Sequence, residues 1–257
     1  GDLLAHVVGY VGRIDEDDLA KLGDGGGALS HIGKTGIERS QEELLRGQVG
    51  YEQIETNVQG RALRTIGRVP ARPGVDLRLS IDVELQRATV AAFGELEGTA
   101  VAMDPRTGEI LALVSLPSFD PNLFVNGISH ADFRALNDNP SRPQFNRAVL
   151  GGVAPGSTLK PFLALAGLDS GVRRPEDRTL STGMFHLPGT RRGWGDSHRG
   201  GHGWTDARES IADSVNPYYY KLAVDMGIAR IDEYLGRYGF GQASGIVRCR
   251  CPKGRLL

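Results

Sequence analysis

The chain has 257 residues, of which 40% are hydrophobic and 24% are charged, and its formal net charge is −1. This composition is that of a globular protein and excludes a wholly disordered chain. The near-zero charge gives no overall field that would attract nucleic acid or an anionic membrane. Apolar stretches such as residues 110–114 are too short to cross a bilayer, and the length predicts one large or two modest domains.

The N-terminal region, residues 1–69, is polar and glycine-rich. Two stretches in it alternate as strands do, HVVGYVGRI and YEQIETNVQGRALRTIG. Two prolines and a glycine in VPARPGVDL then predict a linker over residues 70–78. The chain is therefore predicted to contain a strand-rich region, a linker and a main domain over residues 79–246.

The main domain begins with a clear alternation of element types. DLRLSI predicts a strand, and Asp82 predicts the N-cap of a helix through DVELQRATVAAFGEL. Two apolar runs around DPRTG predict a β-hairpin over residues 99–115. Residues 117–149 are rich in Pro, Asn and Asp and predict a long loop. Helices are predicted over residues 157–168, 206–213 and 217–226, the last ending at Gly227. A strand, a helix and a hairpin followed by helices predict an α+β domain.

A lysine motif near the N-terminus raises the possibility of nucleotide binding. ALSHIGKTGIER, residues 28–39, has the spacing of a phosphate-binding loop, with Ala28 where Gly is usual. Such a loop leaves a buried apolar strand and enters a helix. The preceding residues, KLGDGGG, cannot form that strand, so the pattern argues against a nucleotide site. ATP binding that is abolished by Lys34→Ala would support one.

The most informative stretch is GGVAPGSTLKPFLALAGL, residues 151–168. Pro161 is tolerated only in the first turn of a helix, so it predicts that Ser157 opens the helix. Residues three apart share a helix face, which predicts that Lys160 Nζ comes within hydrogen-bonding range of Ser157 Oγ. A desolvated lysine can activate a serine, and the helix N-terminus offers N–H groups to an oxyanion. The alternative is a helix-capping serine beside a solvated surface lysine.

A second polar motif, Ser214-Val215-Asn216, lies in the predicted turn between two helices. Asn216 followed by Pro217 is typical of an N-cap and a first helical position. Capping does not account for Ser214. A hydroxyl and an amide in one rigid turn can instead face a cleft, where they handle a proton and a substrate amide.

Ser-x-x-Lys followed by Ser-x-Asn is the pattern of penicillin-binding proteins and serine β-lactamases. Further segments extend the likeness: HVVGYVGRI, IGKTGIE, AVAMDPRTGEILALVSLPSFDPNLFVNGIS, NRAVLGGVAPGSTLKPF and DMGI. Over roughly residues 3–246 the chain resembles the elongation-type class B penicillin-binding proteins, the penicillin-binding protein 2 group of bacterial cell-wall synthesis. The resemblance implies an incomplete transpeptidase domain of the serine β-lactamase-like type, preceded by part of a non-catalytic pedestal.

The resemblance also implies the reaction, D,D-transpeptidation of peptidoglycan stem peptides. A donor pentapeptide acylates Ser157 with Lys160 as the base, D-alanine leaves, and the amine of a neighbouring stem resolves the ester. Ser214 is implied as the proton relay to the leaving D-alanine and Asn216 as a ligand of the stem. β-Lactams mimic the donor and block Ser157. No metal or organic cofactor is implied.

Location and partners follow from the same resemblance. It implies a parent protein at the periplasmic face of the bacterial inner membrane, held by one N-terminal helix that this chain lacks. Membrane proteins of the elongation complex are the implied partners, and nucleic acid is not. A non-catalytic cell-wall or scaffold-binding module is the alternative function, which labelling of Ser157 by a fluorescent penicillin would exclude.

The family's third motif, Lys-Ser/Thr-Gly, lies on a strand well after Ser-x-Asn. Lys34-Thr35-Gly36 precedes Ser157 and falls in the pedestal region, so it is not that motif. We expect the third motif to lie beyond residue 257. Since its strand supplies part of the oxyanion hole, the chain as given is expected to be an impaired, low-activity enzyme.

Two further features are interpreted as structural. GDSHRGGHGW offers Asp196, His198 and His202 as metal ligands, with Asp177 upstream, but no cysteine is near and the composition predicts a solvated loop. Tyr218-Tyr219-Tyr220 is predicted to pack a helix rather than to stack on a sugar.

The C-terminal segment departs from the family pattern. Residues 247–257, VRCRCPKGRLL, are predicted to be an aberrant or disordered tail. Its Cys249 and Cys251 are too close for an easy disulfide, and no second ligand pair completes a zinc site.

Overall fold

A computed structural model describes residues 1–22, 29–187 and 189–246. The chain divides into two compact units, one formed mainly by residues 1–152 and the other by residues 153–244. The predicted division into 1–69, 70–78 and 79–246 rests on composition rather than on contacts, and it stays a prediction. The predicted tail over 247–257, with both cysteines, lies outside the described residues, as does Ala28.

The first unit combines short helices with antiparallel strand pairs. Its helices are α1 (Ala5–Val8), α2 (Glu16–Leu22), α3 (Gly36–Ser40), α4 (Glu42–Arg46), α5 (Val83–Phe93), α6 (His130–Asn137) and α7 (Arg147–Leu150). Its strands are β1 (Val11–Arg13), β2 (His31–Gly33), β3 (Tyr51–Thr56), β4 (Ala62–Val69), β5 (Gly98–Met103) and β6 (Ile110–Leu116). The strands pair as β1–β2, β3–β4 and β5–β6, each antiparallel.

Several predictions for this unit are confirmed. Asp82 is the N-cap of α5, and its side chain accepts hydrogen bonds from the N–H groups of Glu84 and Leu85 at 2.9 and 3.0 Å. The predicted hairpin is β5–β6. The second alternating stretch near the N-terminus is the hairpin β3–β4.

Other predictions for this unit are wrong, and the reasons are local. HVVGYVGRI is split, because Gly9 at φ +81° ends α1 before β1 begins. Residues 1–69 therefore alternate short helices with strands instead of being strand-rich. DLRLSI forms no strand in the described chain; it only makes isolated bonds to β6, such as Ser80 Oγ to the Ile110 carbonyl at 2.7 Å.

The predicted loop over residues 117–149 contains α6 and α7. Its polar residues cap these helices. Ser129 Oγ accepts the Asp132 N–H at 3.1 Å, and Asn146 Oδ1 accepts the Ala148 N–H at 3.1 Å. Ser and Asn are common in both loops and N-caps, so composition alone did not separate the two.

The second unit carries the two polar motifs. Its helices are α8 (Lys160–Asp169), α9 (Ala207–Ala212), α10 (Asn216–Met226) and α11 (Ile228–Arg237). Its strands are β7 (Thr179–Ser181), β8 (Met184–His186), β9 (Gly193–Gly195) and β10 (Gly203–Thr205), which pair antiparallel as β7–β10 and β8–β9. The three predicted helices are confirmed within a few residues. Of the helices described in either unit, none combines the length and the apolarity that a membrane crossing requires.

The core of the second unit holds α8 against α10. Its buried side chains are Ala164, Ala166, Ala207, Val215, Tyr218, Tyr219, Leu222 and Met226. Small residues on α8 allow the close approach: a Cβ added to Gly167 would lie 2.8 Å from Leu222 Cδ1. Tyr218 and Tyr219 are 1% and 5% exposed, which confirms that they pack the helix. The packing brings the N-terminal ends of α8 and α10 together.

We predict that Gln86→Leu destabilises the first unit. The Gln86 side chain is 1% exposed, donates to the Leu113 carbonyl at 2.9 Å and accepts the Leu113 N–H at 2.8 Å. Leucine would leave the N–H and the carbonyl of Leu113 without these partners, and each lost bond should lower the free energy of unfolding by about 1–3 kcal/mol. Urea unfolding measures the loss. Arg87→Leu, on the exposed face of the same helix, is the matched control, and equal stability of the two variants would contradict the prediction.

Candidate active site

Ser157 lies at the very start of a helix, as predicted. Residues Gly156–Leu159 form a single 3-10 turn that leads directly into α8. Gly156 has φ +57°, a left-handed conformation that glycine adopts without steric cost, and Pro161 occupies the first turn of α8. The Ser157 side chain is exposed. The nucleophile candidate is therefore presented to solvent at a helix N-terminus.

Lys160 is the opposite case, a charged side chain that is only 8% exposed. Its Nζ donates to the Ser214 carbonyl at 2.5 Å, to Ser214 Oγ at 3.0 Å and to Asn216 Oδ1 at 2.6 Å. An ammonium group has three donors, so these acceptors saturate it. The Tyr219 ring lies on another side, with its centroid 5.4 Å from Nζ. The predicted alternative of a solvated surface lysine is wrong.

Ser214 connects the two members of the predicted pair. Its Oγ donates to Ser157 Oγ at 2.9 Å while it accepts from Lys160. The predicted direct bond between Ser157 and Lys160 is not among the hydrogen bonds of the described side chains, so their link passes through Ser214. Ser214 has φ +55°, which a residue with a Cβ adopts only at an energetic cost.

The structure corrects the prediction that Asn216 is a helix N-cap. Val215 occupies the N-cap position and Asn216 is the first residue of α10. The Asn216 Nδ2 donates to the Gly195 carbonyl at 3.3 Å, and its Oδ1 accepts from Lys160. The side chain is free for these contacts because Asp196 caps the helix instead, accepting the Asn216 N–H at 3.0 Å. All four predicted site residues therefore converge.

The segment between β9 and β10 is a loop, as predicted, with residues 197–200 exposed, but Asp196 is an exception to the predicted solvation. It directly follows β9 and its side chain is 0% exposed. One carboxylate oxygen accepts from Ser181 Oγ at 2.6 Å and contacts His202 Nδ1 at 2.9 Å. The other accepts the N–H groups of Asn216 and Ser197 at 3.0 and 2.8 Å. Nothing in the sequence signals this role, because Ser181, His202 and Asn216 reach the carboxylate from separate parts of the chain.

The other two candidate metal ligands, Asp177 and His198, contact backbone groups instead. Asp177 Oδ2 accepts the Arg174 N–H at 2.8 Å, and His198 Nδ1 lies 3.0 Å from the Gly201 carbonyl. Within residues 1–22, 29–187 and 189–246, no three His, Cys, Asp or Glu side chains are grouped as a metal site requires.

The electrostatics of the site follow from burial and hydrogen bonding. Burial lowers the pKa of Lys160, and the negative charge of Asp196 opposes that shift. For Asp196, burial by itself raises the pKa. Hydrogen bonds from Ser181, from the Asn216 backbone and from His202 outweigh it, and the pKa falls to about 2. The contacts of Asp196 therefore favour its charged form, whereas burial favours the neutral form of the Lys160 amine.

Lys34, in the segment with the spacing of a phosphate-binding loop, is bound to carboxylates. It follows β2 directly and its Nζ donates to Asp15 Oδ2 at 2.8 Å and to Asp18. A phosphate-binding loop needs its strand before the first glycine position, but β2 lies inside the motif. Carboxylates already occupy the ammonium and would repel a phosphate, so the prediction against a nucleotide site agrees with these contacts.

Comparisons with known proteins agree with this constellation. The model of the penicillin binding protein transpeptidase domain matches residues 98–248, more than half of the chain, and that of the penicillin-binding protein dimerisation domain matches residues 1–79. The chain belongs to the penicillin-binding protein family, as a member of its PBP2/MrdA type.

Two curated relatives and two solved structures describe the likeness. Peptidoglycan D,D-transpeptidase MrdA of Escherichia coli is 41% identical over 251 residues, which are 96% of this chain and 40% of the relative. MrdA of Acinetobacter baumannii is 44% identical over 247 residues, which are 96% of this chain and 37% of the relative. The chain thus spans about 40% of the length of the curated relatives it matches.

Among solved structures, Pseudomonas aeruginosa PBP2 in complex with WCK 5153 aligns with a TM-score of 0.82 at 44% identity, over 94% of this chain and 50% of that one. Helicobacter pylori PBP2 in its complex with MreC aligns with a TM-score of 0.83 at 30% identity, over 94% and 44%. The chain therefore has part of the penicillin-binding transpeptidase fold together with a dimerisation domain.

We predict that Ser214→Gly is more stable than Ser214→Ala. Both variants lose the hydroxyl, but only alanine keeps the Cβ that is strained at φ +55°, so the difference should be about 1 kcal/mol. Urea unfolding of the pair measures it. At Ser170, with φ −75°, we expect the opposite order, and the same order at both positions would argue against strain at Ser214.

Proposed function

We propose that this chain carries the nucleophile and the first two motifs of a serine-type peptidoglycan D,D-transpeptidase. The observation that carries the proposal is the hydrogen-bonded series Ser157–Ser214–Lys160–Asn216 at the meeting of two helix N-termini. It is supported by relatives that are named peptidoglycan D,D-transpeptidases. Peptidoglycan stem peptides are the proposed substrates and β-lactams the proposed inhibitors.

Acylation needs the Ser157 proton to leave as its oxygen attacks the donor carbonyl. We assign Lys160 as the final acceptor of this proton. The ammonium seen with three acceptors must first lose a proton, and burial makes that loss easier. Hydroxyl groups both donate and accept, so the proton passes from Ser157 through Ser214 to neutral Lys160. Reaction rate is therefore proposed to rise with pH as Lys160 deprotonates.

Expulsion of D-alanine needs the reverse transfer. The tetrahedral intermediate collapses to the Ser157 ester when the amide nitrogen receives a proton. Ser214 donates this proton and takes another from the Lys160 ammonium. The amine of a second stem peptide then attacks the ester, giving its proton to the same relay and restoring the Ser157 hydroxyl. Asn216, beside Lys160, is proposed to hold the stem by its amide.

Ser157→Ala is expected to abolish covalent labelling by a fluorescent penicillin, because the acylated oxygen is removed. Labelling is measured by in-gel fluorescence and by the mass shift of the intact chain. Ser170→Ala, a serine at the other end of α8, should label as the wild type does. Lys34→Ala should also label normally. Labelling that survives Ser157→Ala would contradict the proposed function and favour the non-catalytic cell-wall or scaffold-binding module.

Completeness of the site sets the expected rate. No Lys-Ser/Thr-Gly follows Asn216 in these 257 residues. Loss of one oxyanion donor costs about a hundred- to a thousandfold in acyl transfer. We therefore expect residues 1–257 to be acylated at least about a hundredfold more slowly than a chain extended to the length of the relatives. Stopped-flow acylation measures both, and equal rates would show that the shorter chain holds a complete site.

Partners and location are proposed from the relatives. Helicobacter pylori PBP2 is solved in complex with MreC, and the dimerisation-domain match covers residues 1–79 of this chain. We propose that this region binds membrane-associated proteins of the elongation complex at the periplasmic face of the inner membrane. Co-purification that depends on residues 1–79 and not on Ser157 tests this proposal.

A further inference from the structure

The second unit contains a buried carboxylate that the proposed chemistry does not use. Asp196 lies 20 positions before Asn216 in the sequence, yet it accepts the first N–H of α10. The N-cap residue of that helix, Val215, has no side-chain hydrogen bond to offer. A carboxylate at a helix N-terminus satisfies a free N–H and interacts favourably with the helix dipole. Asp196 therefore fixes the start of α10 from outside the helix.

The same segment orients the Asn216 side chain. Gly195, the residue before Asp196, accepts Asn216 Nδ2 through its carbonyl at 3.3 Å. With the nitrogen held there, Oδ1 turns toward Lys160 Nζ, 2.6 Å away. Asp196 thus holds the backbone of Asn216 and Gly195 holds its side chain. These two contacts fix the orientation of the amide, with its oxygen toward Lys160.

Other side chains hold the carboxylate itself. Ser181 of β7 donates to it at 2.6 Å, and His202, just before β10, contacts it at 2.9 Å. Both contacts are to the same oxygen, Asp196 Oδ2, and the two residues also contact each other, with the His202 N–H donating to Ser181 Oγ at 3.3 Å. These contacts supply the hydrogen bonds that the second oxygen of a buried carboxylate requires, and together with those to the first oxygen they restrict the position of the group.

We propose that Asp196 is a positioning residue for acylation, which holds the Ser214–Val215–Asn216 turn so that its oxygens converge on Lys160. The proposal rests on the proposed function of Ser157 and Lys160. Misplacing a reacting group by about 1 Å can cost about a hundredfold in rate. We therefore expect Asp196→Asn to lower the rate of acylation by about 10- to 100-fold. The amide variant keeps the shape of the side chain but loses the charge and one acceptor oxygen.

A pH profile separates this role from plain stabilisation. The charge of Asp196 favours protonated Lys160, so its removal should move the rising limb of the acylation profile to lower pH. Two further titratable groups lie close to these residues. Tyr219, whose pKa is raised by burial, lies beside Lys160, and His202 contacts Asp196. Asp82→Asn is the matched control, since Asp82 also caps an 11-residue helix. It should lower the stability without moving the profile.

The proposal can be tested even if acylation is too slow to measure. The chain has five lysines, Lys21, Lys34, Lys160, Lys221 and Lys253, so ¹³C-labelled lysine NMR resolves each titration. The Lys160 signal, assigned with Lys160→Arg, should titrate at lower pH in Asp196→Asn than in the wild type. An unchanged Lys160 titration in a folded Asp196→Asn protein would overturn the proposal, whether or not acylation can be measured.

A second variant covers the case in which Asp196→Asn does not fold. Ser181→Ala removes one donor to the carboxylate and keeps its charge, so acylation should fall several-fold while the pH limb stays in place. Thr182→Ala, the exposed neighbour, is its control, and equal rates for the two would overturn the proposal. Loss of labelling in Ser157→Ala, with wild-type rates in Asp196→Asn, would reject only the positioning role. Labelling that survives Ser157→Ala would reject the proposed function.

Discussion

The candidate site depends on the three hydrogen bonds that satisfy the buried ammonium group of Lys160. A charged group that is 8% exposed is costly unless each of its donors finds an acceptor, and all three acceptors come from Ser214 and Asn216. Two of them are side-chain oxygens and one is a backbone carbonyl. The turn that joins α9 to α10 must therefore point three oxygens inward, and this requirement sets its conformation.

That requirement explains the unusual backbone of the turn. Ser214 adopts φ +55° although it is not glycine, and its carbonyl and hydroxyl both reach Nζ. Asn216 cannot cap its own helix while its amide oxygen faces Lys160, so the helix N-terminus needs a carboxylate from elsewhere. The strain at Ser214 and the burial of Asp196 are thus consequences of burying one amine. The small side chains of α8 permit this arrangement because they let α10 approach closely.

Local signals in the sequence predicted the helices α5, α8, α9 and α10 and the two hairpins, but they failed at DLRLSI and over residues 117–149, and they did not predict the orientation of the side chains. Asp82, Pro161 and the DPRTG turn act on residues a few positions away, so their effects could be predicted without knowledge of the fold. Asn216 before Pro217 gave an equally strong local signal for an N-cap, and it was wrong. The partner that displaced it, Asp196, lies in a glycine-rich segment whose composition indicates a loop. A long-range capping contact of this kind leaves no periodicity or spacing to detect.

The two lysine motifs of this chain show why residue type alone does not define a site. Lys34 donates to Asp15 and Asp18, and although burial lowers its pKa, these hydrogen bonds outweigh burial and raise it. Lys160 donates to neutral oxygens, and there burial prevails and lowers the pKa. A carboxylate in direct contact raises the pKa of a lysine and keeps it protonated. Neutral acceptors stabilise the ammonium less, so the neutral amine forms more easily. Asp196 instead accepts the backbone N–H of Asn216, the residue whose side chain accepts from Lys160, so it holds the turn without bonding to the amine.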